Sequence, residues 1–377
     1  MKKPKINSKS IFYFTYILFL IANMFSNVKF ISNFLIYLPL LVIVNLIILL
    51  FINLKKLSQK EILFIFLTLI LVFISSRFVQ NNSIFILYLF IINSKELELK
   101  DFIKKSYSIK FVFLLFIIFL YFMGMTNNYI MHREDGIVRS SMGFSHPNIF
   151  GLYVFSIFCE YLYINHNKIN TLLLTLFSLT VAFLIMYFSD SRGSFISIMF
   201  LYSVILLHRF DLFKIFDSKI IKTIINYSFI FAAMISLFFS LKYIPTNPFY
   251  KNLDSLLSGR IRMANRFLNN YDIHFLGNKL ELVSTYVASV TGKQALILDN
   301  AYIKLILQYG INVFVLFMFS YIKVSKKMYN KKNYIFVIIF FTYVIRGLTE
   351  NILFTFYGNA FLIYLSYALF RKNIEKE

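Results

Sequence analysis

Apolar and polar stretches alternate along this chain with a regularity that sets its architecture. Twelve apolar stretches stand near 11–26, 30–52, 61–76, 82–93, 107–124, 147–164, 170–188, 193–208, 223–241, 301–322, 334–347 and 352–370. A helix needs about 20 apolar residues to cross the hydrocarbon core of a bilayer, and most of these stretches approach that length. The pattern predicts an all-α, polytopic integral membrane protein of about 12 transmembrane helices, with a single membrane domain over 1–377. The third and fourth stretches are short and read equally as one broken or re-entrant pair. One long hydrophilic segment, 242–300, interrupts the series between the ninth and tenth helices. A loop of that length inside a compact domain is usually functional. It holds a readable helix from Leu253 to Leu268. At about 100° per residue, Leu253, Leu256, Leu257, Ala264 and Phe267 gather around Arg260, with Arg262 and Arg266 on the opposite side.

Composition strengthens the membrane assignment. The chain is 59% hydrophobic and 20% aromatic, against about 45–50% apolar for a soluble domain. A formal net charge of +22 raises nucleic acid as a partner. The Lys and Arg residues sit in short clusters between apolar runs, which is a topology signal, so no nucleic acid is expected. The single cysteine, Cys159, lies in an apolar run and reads as a small buried hydrophobe. Met1, Lys2 and Lys3 before the apolar run from Ile11 imitate a signal peptide, but without a small-x-small cleavage site this reads as an uncleaved first helix.

The connections fall into two sets. One is basic: the N-terminus with Lys2, Lys3, Lys5 and Lys9, then 53–60, 94–106, 165–169, 208–222 with Lys214, 323–333, and the C-terminus with Arg371, Lys372 and Lys376. The positive-inside rule places these, and both termini, in the cytoplasm. The other set, 27–29, 77–81, 125–146, 189–192, 242–300 and 346–351, faces out. It carries Arg77, Arg133, Arg139, Arg192, Arg260, Arg262, Arg266 and Arg346. Topology needs only charge, and lysine supplies that inside. The planar fork of arginine matches phosphate oxygens bidentately, so a change from Lys to Arg across the membrane points to phosphate recognition outside.

The outer segments offer specific candidates. Arg139 lies just before the helix opened by His146, Pro147 and Asn148, where unpaired N–H groups attract anions; the same residues serve equally as a plain helix cap. Asp190-Ser191-Arg192-Gly193 is a tight turn with an arginine close to hydrocarbon, either functional or paired with Asp190. Arg260, carried inward by an apolar face, needs an anion. His274 and Glu281 are candidate general bases. Asp299 reads as the N-cap of the tenth helix. Arg346 either pairs with Glu350 at i,i+4 or faces a phosphate while Glu350 orients an acceptor. There is no outer D-x-D and no carboxylate pair at ligand spacing, so neither a metal nor another cofactor is expected.

The ordered motifs G-F-S-H-P-N (143–148), S-D-S-R-G-S (189–194), S-G-R (258–260) leading to Gly277, and D-N-A-Y…Y-G (299–310) resemble those of the Wzy-type oligosaccharide repeat-unit polymerases, within the O-antigen ligase and polymerase superfamily. Sixteen residues separate Arg260 from Gly277, a slight departure from the family's spacing. The resemblance implies inverting, metal-independent glycosyl transfer from an undecaprenyl-diphosphate-linked oligosaccharide at the outer face of the cytoplasmic membrane. It assigns the diphosphate to Arg139, Arg192 and Arg260. His146, Asn148, Arg266, Asn300, Tyr302 and Arg346 complete the substrate site, and His274, Glu281 and Glu350 are the candidates for acid–base work. It further implies a flippase and a chain-length regulator as neighbours. A ligase moving finished glycan is the alternative within the superfamily. A lipid-linked oligosaccharide flippase is the alternative outside it, disfavoured because no internal repeat is evident.

Overall fold

The computed structural model describes residues 7–26, 28, 32–127, 129–132, 136–210, 218–284, 287–288 and 291–370. Lys2, Lys3, Lys5, Arg133, Lys214, Arg371, Lys372 and Lys376, all counted in the charge pattern, lie outside these residues. The chain is mostly helical. Its helices are α1 (Ser8–Met24), α2 (Ser32–Leu35), α3 (Leu38–Leu54), α4 (Gln59–Phe78), α5 (Ser83–Ile92), α6 (Leu99–Phe122), α7 (Pro147–Asn165), α8 (Thr171–Ser189), α9 (Arg192–Arg209), α10 (Lys219–Asn226), α11 (Ser228–Leu241), α12 (Pro248–Leu256), α13 (Arg260–Asn270), α14 (Ala301–Asn330), α15 (Tyr334–Arg346) and α16 (Ala360–Leu369). Among the described residues, five helices are long and apolar enough to cross a membrane: α4, α6, α7, α8 and α14. A sixth span arises if α10 and α11, bent by 66° at Tyr227, count as one.

The helix surfaces show what solvent they suit. On α8 the inward stripe is Leu174, Ser178, Ala182, Ile185 and Ser189, spaced three or four apart. Its outward face carries exposed Leu172, Leu176, Leu179, Phe183 and Tyr187. The small residues Ser178, Ala182 and Ser189 are confined to the inward face and large apolar ones cover the outward face, the reverse of a soluble amphipathic helix and the arrangement expected in lipid. The outward faces of α3 and α4 repeat it, with Leu40, Val44 and Phe51, and Leu63, Phe66, Leu67 and Ile70.

The chain divides into two compact units. The first is Met1–Ile62, Leu89–Lys214 and Phe356–Glu377; the second is Leu63–Tyr88 and Ile215–Thr355. In the first, rings of Phe12, Tyr16, Phe19, Phe90, Phe102 and Phe356 pack edge-on and tilted into one aromatic core. A short antiparallel hairpin, β1 (Ile130–His132) with β2 (Val138–Ser140), sets Met131 opposite Arg139. In the second, Phe229 touches Tyr302, Phe314, Tyr321 and Phe354.

Several sequence expectations need correction. The stretch 352–370 is helical only over Ala360–Leu369, because successive turns close at Thr355 and Asn359 before it. The stretch 30–52 is not one helix: the short α2 is followed by a long helix only from Leu38, where Pro39 fits the first turn. The third and fourth stretches are two separate helices, and α4 runs for 20 residues. The helix expected from Leu253 to Leu268 is two. Ser258 (φ 56°) and Gly259 (φ 79°) take left-handed conformations and end α12, so the helical phase restarts at Arg260. Asp254 spans the break: its carboxylate accepts from the Arg262 amide at 2.9 Å.

The segment after α13 is fixed by a defect in α14. Leu305–Tyr309 is a π-helical turn. The Leu307 carbonyl accepts from both the backbone amide (2.8 Å) and the side chain (3.1 Å) of Asn278. Gly277 (φ 88°) and Gly310 (φ 86°) meet here backbone to backbone. A Cβ on Gly277 would stand 2.1 Å from the Gln308 oxygen, and one on Gly310 would stand 2.2 Å from the Phe275 oxygen. Both glycines of the sequence motifs are therefore required by close packing.

Candidate functional site

The strongest constellation lies in the second unit, where three segments distant in sequence converge. Helix α13 buries Ile261, Ala264 and Phe267, and the last two pack in one cluster with Leu298, Ile303, Ile306 and Leu307. That packing holds Arg260, at the head of α13, over the start of α14. Arg260 Nη2 donates to Glu350 Oε1 at 2.7 Å, and its Nε lies 3.6 Å from Asp299 Oδ2. The anion that a half-buried arginine requires is thus supplied by two carboxylates of the chain itself. Arg262 and Arg266 are exposed, as their opposite phase predicts; Arg262 lies near Asp254 and Arg266 donates to Gln294 Oε1 at 2.8 Å.

Asp299 is not the N-cap. Asn300 is: its Oδ1 accepts from the Tyr302 and Ile303 amides at 3.1 and 3.0 Å. Its Nδ2 donates to Ser236 Oγ and to the Leu348 carbonyl. The Asp299 carboxylate is therefore turned to Arg260. Burial, then the neighbouring Glu350 charge, push the Asp299 carboxyl up to about 6, against the opposing pull of Arg260 and Lys304. Tyr302 is buried, and its hydroxyl donates to the Val344 carbonyl at 2.6 Å. Asn300 and Tyr302 thus use their polar groups to join α14 to α11 and to the end of α15. Glu350 does not pair with Arg346. The turn after α15, closed by the Glu350 amide on the Arg346 carbonyl at 2.9 Å, delivers the Glu350 carboxylate to Arg260. Arg346 itself is buried at the end of α15.

His274 and Glu281 stand apart from this cluster. His274 is exposed, and its carbonyl accepts from the Ile311 amide at 3.1 Å. Glu281 is exposed, with its amide on the Tyr271 hydroxyl. None of these contacts involves Arg260, Asp299 or Glu350. Two residues not selected from the sequence belong to the site instead: Asp299 as a carboxylate, and Lys304 on the first turn of α14. Asp and Asn are both good caps, so a D-N pair does not say which one caps. Lys304 sits inside the apolar stretch 301–322, where a lone lysine carries no motif that marks it as a ligand.

A second constellation lies in the first unit. Arg139 of β2 is buried. Its Nε donates to the Ser189 carbonyl at 2.9 Å and its Nη2 to Asn148 Oδ1. His146 caps α7 through Nδ1, which accepts from the Asn148 amide at 3.0 Å. Burial, and then the charge of Arg139, pull His146 down to about 4, so it is neutral near pH 7 and keeps the lone pair that the cap needs. Arg192, with its side chain 50% exposed, lies 3.6 Å from Asp190. A Cβ on Gly151 would stand 2.5 Å from Ser191, which draws α7 against the start of α9. Arg139, His146, Asn148 and the 189–194 turn thus form one neighbourhood. A wholly apolar groove of about 310 Å³ runs between α6, α7 and α8. Its lining includes Met142, Phe150 and Phe188, close in sequence to Arg139, Asn148 and Ser189.

Among the described residues, no three His, Cys, Asp or Glu side chains converge as a metal site would require. No protein-family model, curated protein or solved structure matches this chain.

Proposed function

We propose that this protein is a membrane glycosyltransferase that polymerises undecaprenyl-diphosphate-linked oligosaccharide repeat units of a capsule, exopolysaccharide or O-antigen. The observation that carries the reading is Arg260 held between Glu350 and Asp299, with the Asp299 carboxyl pushed up to about 6. A carboxylate in that range is matched to accept a proton from a sugar hydroxyl near neutral pH. The acceptor oxygen then bonds to C1 of the donor unit from the face opposite the diphosphate. The C1–O bond breaks, its electron pair stays on the diphosphate oxygen, and the configuration at C1 inverts. Arg260 positions the two carboxylates, while Asn300 and Tyr302 fix the helix start that carries Asp299. Removing one donor that meets developing charge typically costs about 2.7–4 kcal/mol of barrier.

In this reading the five long helices, the bent pair and the six shorter apolar helices are all spans of the cytoplasmic membrane. Both termini are cytoplasmic and the segment 242–300 is outside, as the distribution of lysine indicates. A different observation favours a lipid-linked oligosaccharide flippase: Lys110 and Glu160 form an ion pair at 2.7 Å, both fully buried, on α6 and α7. Charges inside a membrane bundle are typical of transport paths.

Repeat-unit laddering in a polymerase-deficient host carrying the matching biosynthetic genes decides. Wild type is expected to restore the ladder. Asp299→Asn and Glu350→Gln are expected to lose it while single lipid-linked units accumulate outside. Accumulation on the cytoplasmic side would make the protein a flippase. Transfer of a preformed glycan to a terminal acceptor without laddering would make it a ligase.

A further inference from the structure

The sequence singles out Arg260 as an anion ligand, yet its guanidinium already faces two carboxylates. A leaving diphosphate needs a cation that is not so engaged. Lys304 is a cation free of such contacts. It stands one turn into α14, five residues after Asp299, and is half-buried. Among the described residues its ammonium makes no hydrogen bond or ion pair, although it and Asp299 act on each other through their charges. An ammonium drawn partly out of water without an acceptor is costly, and an oxyanion relieves the cost. The start of α14 does not compete for that oxyanion. Its first amides are taken by the Gly347 carbonyl and by Asn300 Oδ1. Arg260, Lys304, Asp299 and Glu350 together carry balanced charge, so an entering anion is held by the one member of the four without a direct partner.

Resting on the polymerase reading, we propose that Lys304 binds the diphosphate oxyanion of the lipid-linked donor, while Arg260 holds the carboxylates that take the proton. The step balances. The acceptor hydroxyl gives its proton to Asp299, its oxygen bonds to C1, and the C1–O electron pair departs with the diphosphate beside Lys304. Negative charge thus arrives next to the ammonium as a proton arrives on the adjacent carboxylate, and each transfer assists the other.

The test is equilibrium binding of farnesyl diphosphate to the purified full chain in detergent, with inorganic diphosphate as competitor. Loss of one charge-assisted contact predicts about tenfold weaker binding or worse in Lys304→Gln. Lys304→Arg, which keeps the charge, is expected to retain most of the affinity. Lys304→Met is a second uncharged variant should Lys304→Gln elute as aggregate. Unchanged affinity in the uncharged variant that stays monodisperse overturns the assignment of Lys304 and leaves the polymerase reading to the ladder. Wild type that binds no farnesyl diphosphate overturns both.

Discussion

At the scale of single residues, the pair Asp299 and Glu350 gives the sharpest expectation. Two carboxylates on one guanidinium cannot both ionise as easily as either alone. Burial, and then the Glu350 charge, keep Asp299 protonated up to about 6, so the proposed base role requires a higher pH. Polymerisation by membranes of fixed protein content should fall as pH drops through about 6. In Glu350→Gln the charge that raises Asp299 is gone, so the acid limb of any residual activity should move to lower pH. In Lys304→Gln a cation that favours the carboxylate is lost, and the limb should move up. Identical profiles in all three would remove Asp299 as the titrating group. The residues themselves were only partly legible. An apolar helical face pointed to an anion for Arg260, but the phase behind that expectation is interrupted at Ser258–Gly259, and the anions beside Arg260 are the chain's own Asp299 and Glu350. That the anion is Glu350 depends on a tertiary approach between segments 90 residues apart, which no spacing encodes.

At the scale of elements, Lys110 and Glu160 join α6 to α7. Ser156 Oγ accepts from Lys110 Nζ at 2.9 Å and donates to Glu160 Oε1 at 3.2 Å. Removing one partner leaves a bare charge in the helix interface, at about 3–5 kcal/mol, while replacing both with apolar residues is often neutral or stabilising. Lys110→Met or Glu160→Leu alone should therefore lower the melting temperature markedly, and the double variant should recover it. A double variant that recovers stability but not laddering would give the pair a role beyond joining helices. The positions of most helices were legible because twenty apolar residues in a row have few other solutions. The bend at Tyr227, the π-turn at 305–309 and the break at Ser258–Gly259 were not. Each is decided by what packs against it. The π-turn carbonyl of Leu307, for example, is matched by Asn278 from a segment almost thirty residues earlier.

At the scale of the molecule, the catalytic reading depends on which side of the membrane receives the segment 242–300. Donor units built on undecaprenyl diphosphate and polymerised outside must meet Arg260, Asp299 and Lys304 from outside. The charge pattern argues for that placement, since lysine clusters at 53–60, 94–106 and 323–333 are what the positive-inside rule expects of cytoplasmic connections. The chain offers a convenient means of testing it. Its only cysteine, Cys159, is fully buried, so Cys159→Ala gives a background with nothing to label. Single cysteines at Ser255 and Asn269, both exposed on α12 and α13, and at Lys332, exposed just after α14, report on the two sides. In intact cells a membrane-impermeant maleimide should label Ser255→Cys and Asn269→Cys but not Lys332→Cys, which should react only after the membrane is opened. The reverse pattern would put the carboxylate pair in the cytoplasm, where it could not serve polymerisation on the outer face however well its chemistry suits the reaction.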